Sequence, residues 1–155
     1  MQTSKTLVEL VNNLFSDKNG IEIGGPSNIF QVSIPVYKLA DELDCVNYSA
    51  NTIWEGVIEE GKTFQFQENK TGNRYISEAT NLYQIQSNTY DFLMSSNCLE
   101  HIANPLRALK EWKRVLRERG LLLLVLPEKS SNFDHKRPFT LFEHIIEDYL
   151  KDTSE

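Results

Sequence analysis

The feature that most constrains the fold is a strand–helix–strand pattern in the C-terminal half of the chain. Tyr90–Ser95 is a predicted strand, and Leu121–Leu126 is an unbroken apolar run. Between them, Asn104 and Pro105 favour a helix start, and Gly120 favours the end of that helix. A strand, a helix of about four turns and a second strand form a βαβ unit, whose two strands are parallel. An all-apolar strand is typical of burial on both faces, so Leu121–Leu126 is predicted to lie inside a parallel sheet.

The rest of the chain extends this unit into one domain. The predicted strands are Ile21–Ile23, Leu43–Tyr48 and Tyr75–Ser77, and the predicted helices are residues 4–16, with Ser4 as cap, and Thr140–Leu150. Residues 50–73 are expected to form a loop-rich insertion with a hairpin around Thr63–Gln67. This order predicts a single α/β domain over residues 1–155, with a Rossmann-like, mainly parallel sheet and helices on both faces.

Composition excludes several classes of function. Sixteen basic and 22 acidic residues give a net charge of −6, and no cationic run exceeds residues 135–137, which argues against nucleic-acid binding. The longest apolar run is far shorter than the ~20 residues of a membrane helix, and the N-terminus lacks a signal-peptide pattern. Cys45 and Cys98 cannot form a disulfide framework or a metal knuckle, so no metal is expected. We therefore expect a cytoplasmic protein.

Small and polar residues follow the predicted strands, at the edge where parallel sheets bind ligands. They are Glu22, Gly24, Gly25, Pro26 and Ser27 at and beyond the end of the first strand, Glu78 and Ala79 after the third, and Ser95, Ser96, Asn97 and His101 at and beyond the end of the fourth. Glycine lets a backbone approach a ligand closely, and a carboxylate beside a small residue suits an adenine edge. For the glycine segment the alternative is an ordinary turn, for Glu78 it is a solvated loop acid, and for His101 it is a turn histidine. Pro26 and Asn28 replace glycines of the dinucleotide fingerprint, which argues against a nicotinamide-dependent oxidoreductase.

These residues carry a family resemblance. The motifs that carry it are Ser95-Ser96-Asn97-Cys98-Leu99-Glu100-His101, Asn104-Pro105 and Arg114-Val115-Leu116. Together they resemble class I S-adenosylmethionine-dependent methyltransferases with a methyltransferase type 11-like domain, and the resemblance extends from Ile21 to Pro127. It implies S-adenosyl-L-methionine as the cofactor and methyl transfer as the activity.

The resemblance also implies roles for individual residues. Glu22 to Ser27 would cradle the methionine part of the cofactor, and Glu78 and Ala79 would hold the adenine. Ser95, Ser96 and Asn97 would pass under the sulfonium. Asn47 ends the second strand where the family usually has an acid on the ribose hydroxyls, and an amide can still accept one hydrogen bond.

Two departures bear on activity. The cofactor turn matches one glycine of the usual three, and Glu118-Arg119-Gly120 replaces the usual Pro-Gly-Gly. The sequence also lacks the family's C-terminal antiparallel strand pair. The chain is then a fragment, a homodimer joined through an uncovered sheet edge, or a degenerate member.

The expected reaction is in-line methyl transfer to a small-molecule or saccharide-type acceptor, although protein acceptors stay open. The alternative is a catalytically degenerate cofactor-binding or scaffold domain of the same fold. On the acceptor side, His135 is a candidate base beside Asp134, and Arg137 is a candidate cation that orients an anionic acceptor. The alternative for both residues is a solvated loop.

Overall fold

A six-stranded sheet forms the centre of the protein in a computed structural model that describes residues 2–52, 55–133 and 135–154, with the side chains of residues 2–6 not considered. The strands in chain order are β1 (Asn19–Ile23), β2 (Glu42–Asn47), β3 (Asn51–Thr52), β4 (Gly56–Val57), β5 (Gly61–Gln67), β6 (Lys70–Ile76), β7 (Tyr90–Ser96) and β8 (Leu116–Val125). The α-helices are α1 (Gln2–Phe15), α2 (Val36–Leu39), α3 (Pro105–Val115) and α4 (Phe142–Lys151).

The strand order in the main sheet is β5-β6-β2-β1-β7-β8. The five strands from β6 to β8 run parallel, and only β5 is antiparallel to its neighbour. The chain starts in the middle at β1, continues outward through β2 to β6, and then crosses back to β7. Strand order thus reverses beside β1, where ligands bind in open α/β sheets. The predicted Rossmann-like, mainly parallel sheet is confirmed.

Helices cover both faces of the sheet, as the sequence predicts. On one face, α1 and α2 pack over an aromatic core that includes Phe15, Phe30 and Phe92. The rings of Phe15 and Phe92 meet edge to face, with 5.1 Å between their centroids. On the other face, α3 buries Trp112 against Leu93 and its neighbours. Burying one such side chain contributes about 1.5–3 kcal/mol, so these two cores hold the sheet rigid beneath its ligand-binding edge.

The predicted end of α3 at Gly120 is wrong, because the helix ends at Val115. Leu116 is already extended and pairs with Tyr90 of β7. The register between β7 and β8 then shifts before Leu121, and Arg119 adopts a left-handed conformation with φ 63°. Charged residues that look like a last helical turn therefore form a bulge at the start of β8.

The predicted burial of the apolar strand on both faces holds only in part. Leu121, Leu123 and Val125 pack on the aromatic core, and Leu124 packs on the core that contains Trp112, but Leu122 is 43% exposed. The reason is that β8 lies at the edge of the sheet, with β7 as its neighbour in the described structure. Hydrophobic pattern alone does not distinguish an edge strand from a central one.

Other predicted boundaries differ modestly from the structure. The first helix begins at Gln2, so Ser4 lies inside it rather than capping it. The insertion contains the small β3–β4 sheet, and the predicted hairpin is confirmed as β5 and β6, which are longer than expected. Ile53, Trp54 and Asp134 lie outside the described residues. Within the described chain, no helix has the length and apolar character needed to cross a bilayer.

Candidate functional site

A cavity of about 270 Å³ opens at the carboxyl ends of β1, β2, β6 and β7. Its walls include Ile23 and Gly24 at the end of β1, Val46 and Tyr48 around the end of β2, Ser77 to Thr80 after β6, and Asn97 and Cys98 after β7. The volume compares with the smaller of the ~300–1,000 Å³ pockets that take small-molecule ligands. The predicted turn after β1 and the predicted acid after β6 thus face one space.

The opposite wall comes from the segment that precedes α3 and from the residues that follow α4. It consists of His101, Ile102, Ala103, Asn104, Thr153 and Ser154. Asn104 links the two helices, because its Nδ2 donates to the Asp148 carbonyl at 3.0 Å while its Oδ1 caps α3 at the Arg107 N–H. The C-terminal segment of the described chain therefore helps to enclose the cavity.

Gly24 is the residue of the turn that lines the cavity. Its N–H donates to the Val46 carbonyl at 2.9 Å, which extends the pairing of β1 and β2 by one residue. Its φ is +81°, and a Cβ there would lie 2.9 Å from the Cys98 sulfur. Both the backbone conformation and the contact with Cys98 therefore require glycine.

The loop after β6 holds Glu78 and Ala79 against the cavity. The indole N–H of buried Trp112 donates to the Ala79 carbonyl at 2.9 Å. The Thr80 hydroxyl donates to a Glu78 carboxylate oxygen at 3.1 Å. The Glu78 carboxylate keeps further acceptor capacity, so it can take a hydrogen bond from an amine of a ligand that rests on Ala79.

Glu22 lies beneath the turn and is not part of the cavity lining. It is fully buried, and the Tyr37 hydroxyl donates to its Oε2. Its Oε1 has no hydrogen-bond partner among the described residues. Burial raises the pKa of Glu22 to about 7, although hydrogen bonds from Ser27 and Tyr37 oppose the shift.

Asn47 is likewise turned away from the cavity. Its Nδ2 donates to the Gly25 carbonyl at 2.6 Å, and its Oδ1 accepts from Arg74 at 3.3 Å. The guanidinium of Arg74 in turn forms two hydrogen bonds with Glu55, at 2.7 and 3.0 Å. The residue that follows β2 into the cavity wall is Tyr48.

Of the three predicted residues at the end of β7, one lines the cavity and two do not. Ser95 is buried and donates to the Ile23 carbonyl at 3.0 Å, so it ties β7 to β1. Ser96 donates to the side chain of Asn97, and Asn97 alone of the three lines the cavity. Pro26 and Ser27 follow the glycines of the turn but are also absent from the lining. Of the predicted cofactor residues, the structure brings Gly24, Glu78, Ala79 and Asn97 together around the cavity.

The predicted acceptor-side pair lies outside the lining. His135 places its Nδ1 3.0 Å from the Asn132 carbonyl, and the Arg137 carbonyl accepts from Lys129. The histidine that lines the cavity is His101, whose side chain is 69% exposed and lies 3.8 Å from Glu100. From the sequence alone, His101 is either a turn residue or a catalytic candidate.

Several lining residues were missed by the sequence analysis. Tyr48 is the last residue of a predicted strand and Cys98 lies three residues beyond another, so the strand-end rule signals both. No sequence signal indicates Thr153 and Ser154, because they reach the cavity only through the packing of α4 on α3.

The lining fits a ligand with a flat aminated ring at one end and a backbone-bound group at the other. Glu78 and Ala79 suit the adenine of S-adenosylmethionine, and the Gly24 backbone leaves space where any Cβ would collide with Cys98. The apolar side chains of Ile23, Val46 and Ile102 suit the ring faces. Two expected acids are absent from this lining: Glu22, which was expected to cradle the methionine part, and the acid usual for the ribose hydroxyls, whose place Asn47 takes.

Comparison with known proteins agrees with this fold. The sequence model of a family described as "Methyltransferase domain" matches residues 35–124. A SAM-dependent methyltransferase of Thermotoga maritima is similar in structure, with 19% identity, a TM-score of 0.51, and coverage of 95% of this chain and 69% of that one. The trans-methyltransferase CalH, solved in complex with SAH, has 16% identity, a TM-score of 0.52, and coverage of 76% and 34%.

The same fold also occurs in the [4+2]-cyclase SpnF, with 17% identity, a TM-score of 0.55, and coverage of 97% of this chain and 57% of that one. The chain spans about half the length of the solved structures that it matches. No curated protein matches the sequence.

Proposed function

The family match covers 90 of 155 residues, so this chain belongs to the methyltransferase domain family, and from that premise we propose that it transfers a methyl group from S-adenosylmethionine to a small-molecule or saccharide-type acceptor. The observation that supports the proposal is that Gly24 and Glu78 line the same cavity at the carboxyl edge of the sheet. S-adenosylmethionine is the cofactor that this family membership gives the domain.

Four predicted residues are proposed to contact the cofactor directly. Glu78 would accept from the adenine amine while Ala79 leaves room for the ring, and Gly24 and Asn97 would face the methionine half. Glu22, Gly25, Pro26, Ser27, Asn47, Ser95 and Ser96 would support these four from behind or beside the lining. The bound cofactor would supply a methyl group on a positively charged sulfur, which is already activated as a leaving group.

The contribution of the protein is alignment and exclusion of water. Holding two reactants in line accounts for up to about 7–11 kcal/mol of a barrier, so no universal catalytic residue is required. The apolar walls at Ile23, Val46 and Ile102 would keep water from the reacting atoms. The residues that follow α4 would restrict the opening, since Thr153 and Ser154 line the cavity.

The acceptor-side assignment of His135 and Arg137 stays a prediction. A base within hydrogen-bond reach of an acceptor hydroxyl or amine adds about 10²–10⁴-fold. His101 competes for this role, because it lines the cavity whereas His135 does not. A His135→Ala variant and a His101→Ala variant, compared on the same acceptor, distinguish the two assignments.

The alternative function is a degenerate domain that binds the cofactor without transferring its methyl group. Two observations favour keeping it: Glu22 and Asn47 are both engaged inside the protein, and the same fold serves a [4+2]-cyclase. Fold therefore does not by itself establish methyl transfer.

The deciding experiment supplies S-adenosylmethionine with a labelled methyl group to the protein and to a set of small-molecule and saccharide acceptors. Appearance of label in an acceptor, together with formation of S-adenosylhomocysteine, supports the proposal. Binding of S-adenosylhomocysteine without label transfer to any acceptor, protein extracts included, supports the degenerate domain.

We also propose that the chain forms a homodimer through β8. This strand pairs only with β7 in the described structure, so its outer edge offers free backbone groups. Leu122 and Leu126 add exposed apolar surface on or beside the strand. We propose no nucleic-acid or membrane partner.

A further inference from the structure

The amide of Asn47 stands where the family resemblance leads us to expect an acid, and its contacts give it a different task. We propose that Asn47 is a positioning residue that holds the cofactor turn through the Gly25 carbonyl and does not itself bind the cofactor. The inference rests on the proposed function, because it concerns how the turn is kept ready for S-adenosylmethionine.

Both ends of the Asn47 amide are used inside the protein. The Nδ2 group donates to the Gly25 carbonyl at 2.6 Å, and the side chain is almost fully buried. The Oδ1 atom accepts from Arg74 at 3.3 Å and from the Cys45 thiol at 3.5 Å. No acceptor capacity is left for ribose hydroxyls.

Arg74 fixes which way the amide faces. A guanidinium group only donates, so the oxygen of Asn47 must point toward Arg74 and the nitrogen toward Gly25. Arg74 is itself held by paired hydrogen bonds to Glu55, a geometry that restricts its rotation. The chain of contacts therefore runs from the insertion through Glu55, Arg74 and Asn47 to the turn.

Gly25 is restricted by a hydrogen bond on one side and by the closeness of Glu22 on the other. The Asn47 amide binds its carbonyl, and a Cβ at position 25 would lie 2.4 Å from the Glu22 carboxyl carbon. The preceding residue, Gly24, lines the cavity. Any force that displaces the Gly25 carbonyl therefore moves the backbone that faces the cofactor.

An aspartate at position 47 would turn the attraction between the Asn47 amide and the Gly25 carbonyl into a repulsion. Its carboxylate oxygen would face the Gly25 carbonyl oxygen at the distance of a short hydrogen bond, with no proton between them. Restoring the residue type that is usual in the family is therefore expected to weaken cofactor binding in this chain. Protonation of the aspartate would return a donor to the same place.

The test is calorimetric titration of the full chain with S-adenosylhomocysteine at about pH 8 and about pH 5.5. Burial and the facing Gly25 carbonyl would raise the pKa of an aspartate at position 47, and Arg74, which is already paired with Glu55, would lower it less. We expect Asn47→Asp to bind about tenfold more weakly than wild type at the higher pH and within about threefold at the lower pH. Asn47→Ala should bind about threefold more weakly at both. Asn69→Asp, in the exposed β5–β6 turn, adds the same charge and should bind like wild type.

Other ionisable groups contact Asn47 or act on its partners. Cys45 on β2 and Arg74 on β6 contact it directly, and Glu22 on β1, Tyr37 on α2 and Glu55 in the insertion act on those two partners. Because wild type shares them, the ratio of variant to wild-type affinity at each pH isolates the aspartate.

Three results would overturn the inference. Asn47→Asp could bind as tightly as wild type at the higher pH, or its loss could be equal at both pH values, which indicates general structural damage. If Asn47→Asp fails to fold, as judged by circular dichroism, Asn47→Ala with wild-type affinity would contradict the inference instead. Failure of wild type to bind S-adenosylhomocysteine would instead overturn the proposed function and, with it, the inference. The three results above leave wild-type binding intact, so the two failures are distinguishable.

Discussion

At the scale of single residues, the strand-end side chains divide between the cavity and the interior by simple alternation. Ile23 and Val46 line the cavity, whereas Glu22 and Asn47, one position away, face the opposite side of the sheet. Successive side chains of a strand point to opposite faces, and Tyr48 returns to the cavity for the same reason. A sequence reading that located strand ends but did not count this alternation placed Glu22 and Asn47 beside the ligand.

Glu22 is predicted to make folding stability depend on pH. Its pKa is raised to about 7 in the folded protein from an ordinary 4.5, so the folded state holds the proton more tightly than the unfolded state. The resulting stabilisation is complete below about pH 4.5, is lost as pH rises through about 7, and amounts to about 3 kcal/mol.

Urea unfolding at about pH 5 and about pH 8 checks this prediction. Wild type should lose about 2–3 kcal/mol more than Glu22→Gln over this interval, because the amide cannot ionise. Equal losses in the two proteins would mean that Glu22 titrates normally despite its burial.

At the scale of elements, periodicity and turn signals predicted the order of strands and helices but not their ends. The βαβ unit was readable because a long apolar stripe and a Pro105 start are strong local signals. The end of α3 was not, because pairing of Leu116 with Tyr90 overrides the helical preference of the charged residues that follow. Packing of α4 on α3 depends on contacts distant in sequence, which no local pattern encodes.

Asn104 is predicted to stabilise two helices at once. It is almost fully buried, caps α3 through Arg107 and donates to the carbonyl of Asp148 in α4. Asn104→Ala removes both contacts and should lower the free energy of unfolding by about 2 kcal/mol.

Asn104→Ser provides the matched comparison, since serine keeps a capping oxygen but is too short to reach α4. We expect it to cost about 1 kcal/mol in the same urea measurement and to speed amide exchange in α4 as much as the alanine variant does. Unchanged exchange in α4 in both variants would refute the link between the helices.

At the scale of the whole molecule, the sheet has two different edges. The hairpin strand β5 forms one edge, and β8 with its apolar side chains forms the other. The sequence predicted an uncovered edge beside the fifth parallel strand, because it contains no pattern for a further strand pair. It did not reveal the exposed apolar residues that follow, such as Phe139 and Phe142, because their exposure depends on where α4 packs.

Self-association through β8 is predicted to be sensitive to a charge on that strand. Leu122→Lys places a cation on the exposed face of the edge and should weaken dimer formation about tenfold in sedimentation equilibrium. Val57→Lys, on the separate β3–β4 sheet, is the control because Val57 is even more exposed. A wild-type chain that stays monomeric at every concentration would contradict the proposed dimer.

The central claim is that the β1 turn and the β6 loop grip one nucleoside-bearing molecule. Its most direct test is titration of wild type, Glu78→Gln and the control Glu68→Gln with S-adenosylhomocysteine. Wild type and the control, altered only in the exposed hairpin turn, should bind one molecule per chain with equal affinity. Glu78→Gln should bind about tenfold more weakly, because a charge-assisted hydrogen bond to the adenine amine is lost. No binding by wild type, or full affinity in Glu78→Gln, would contradict the account.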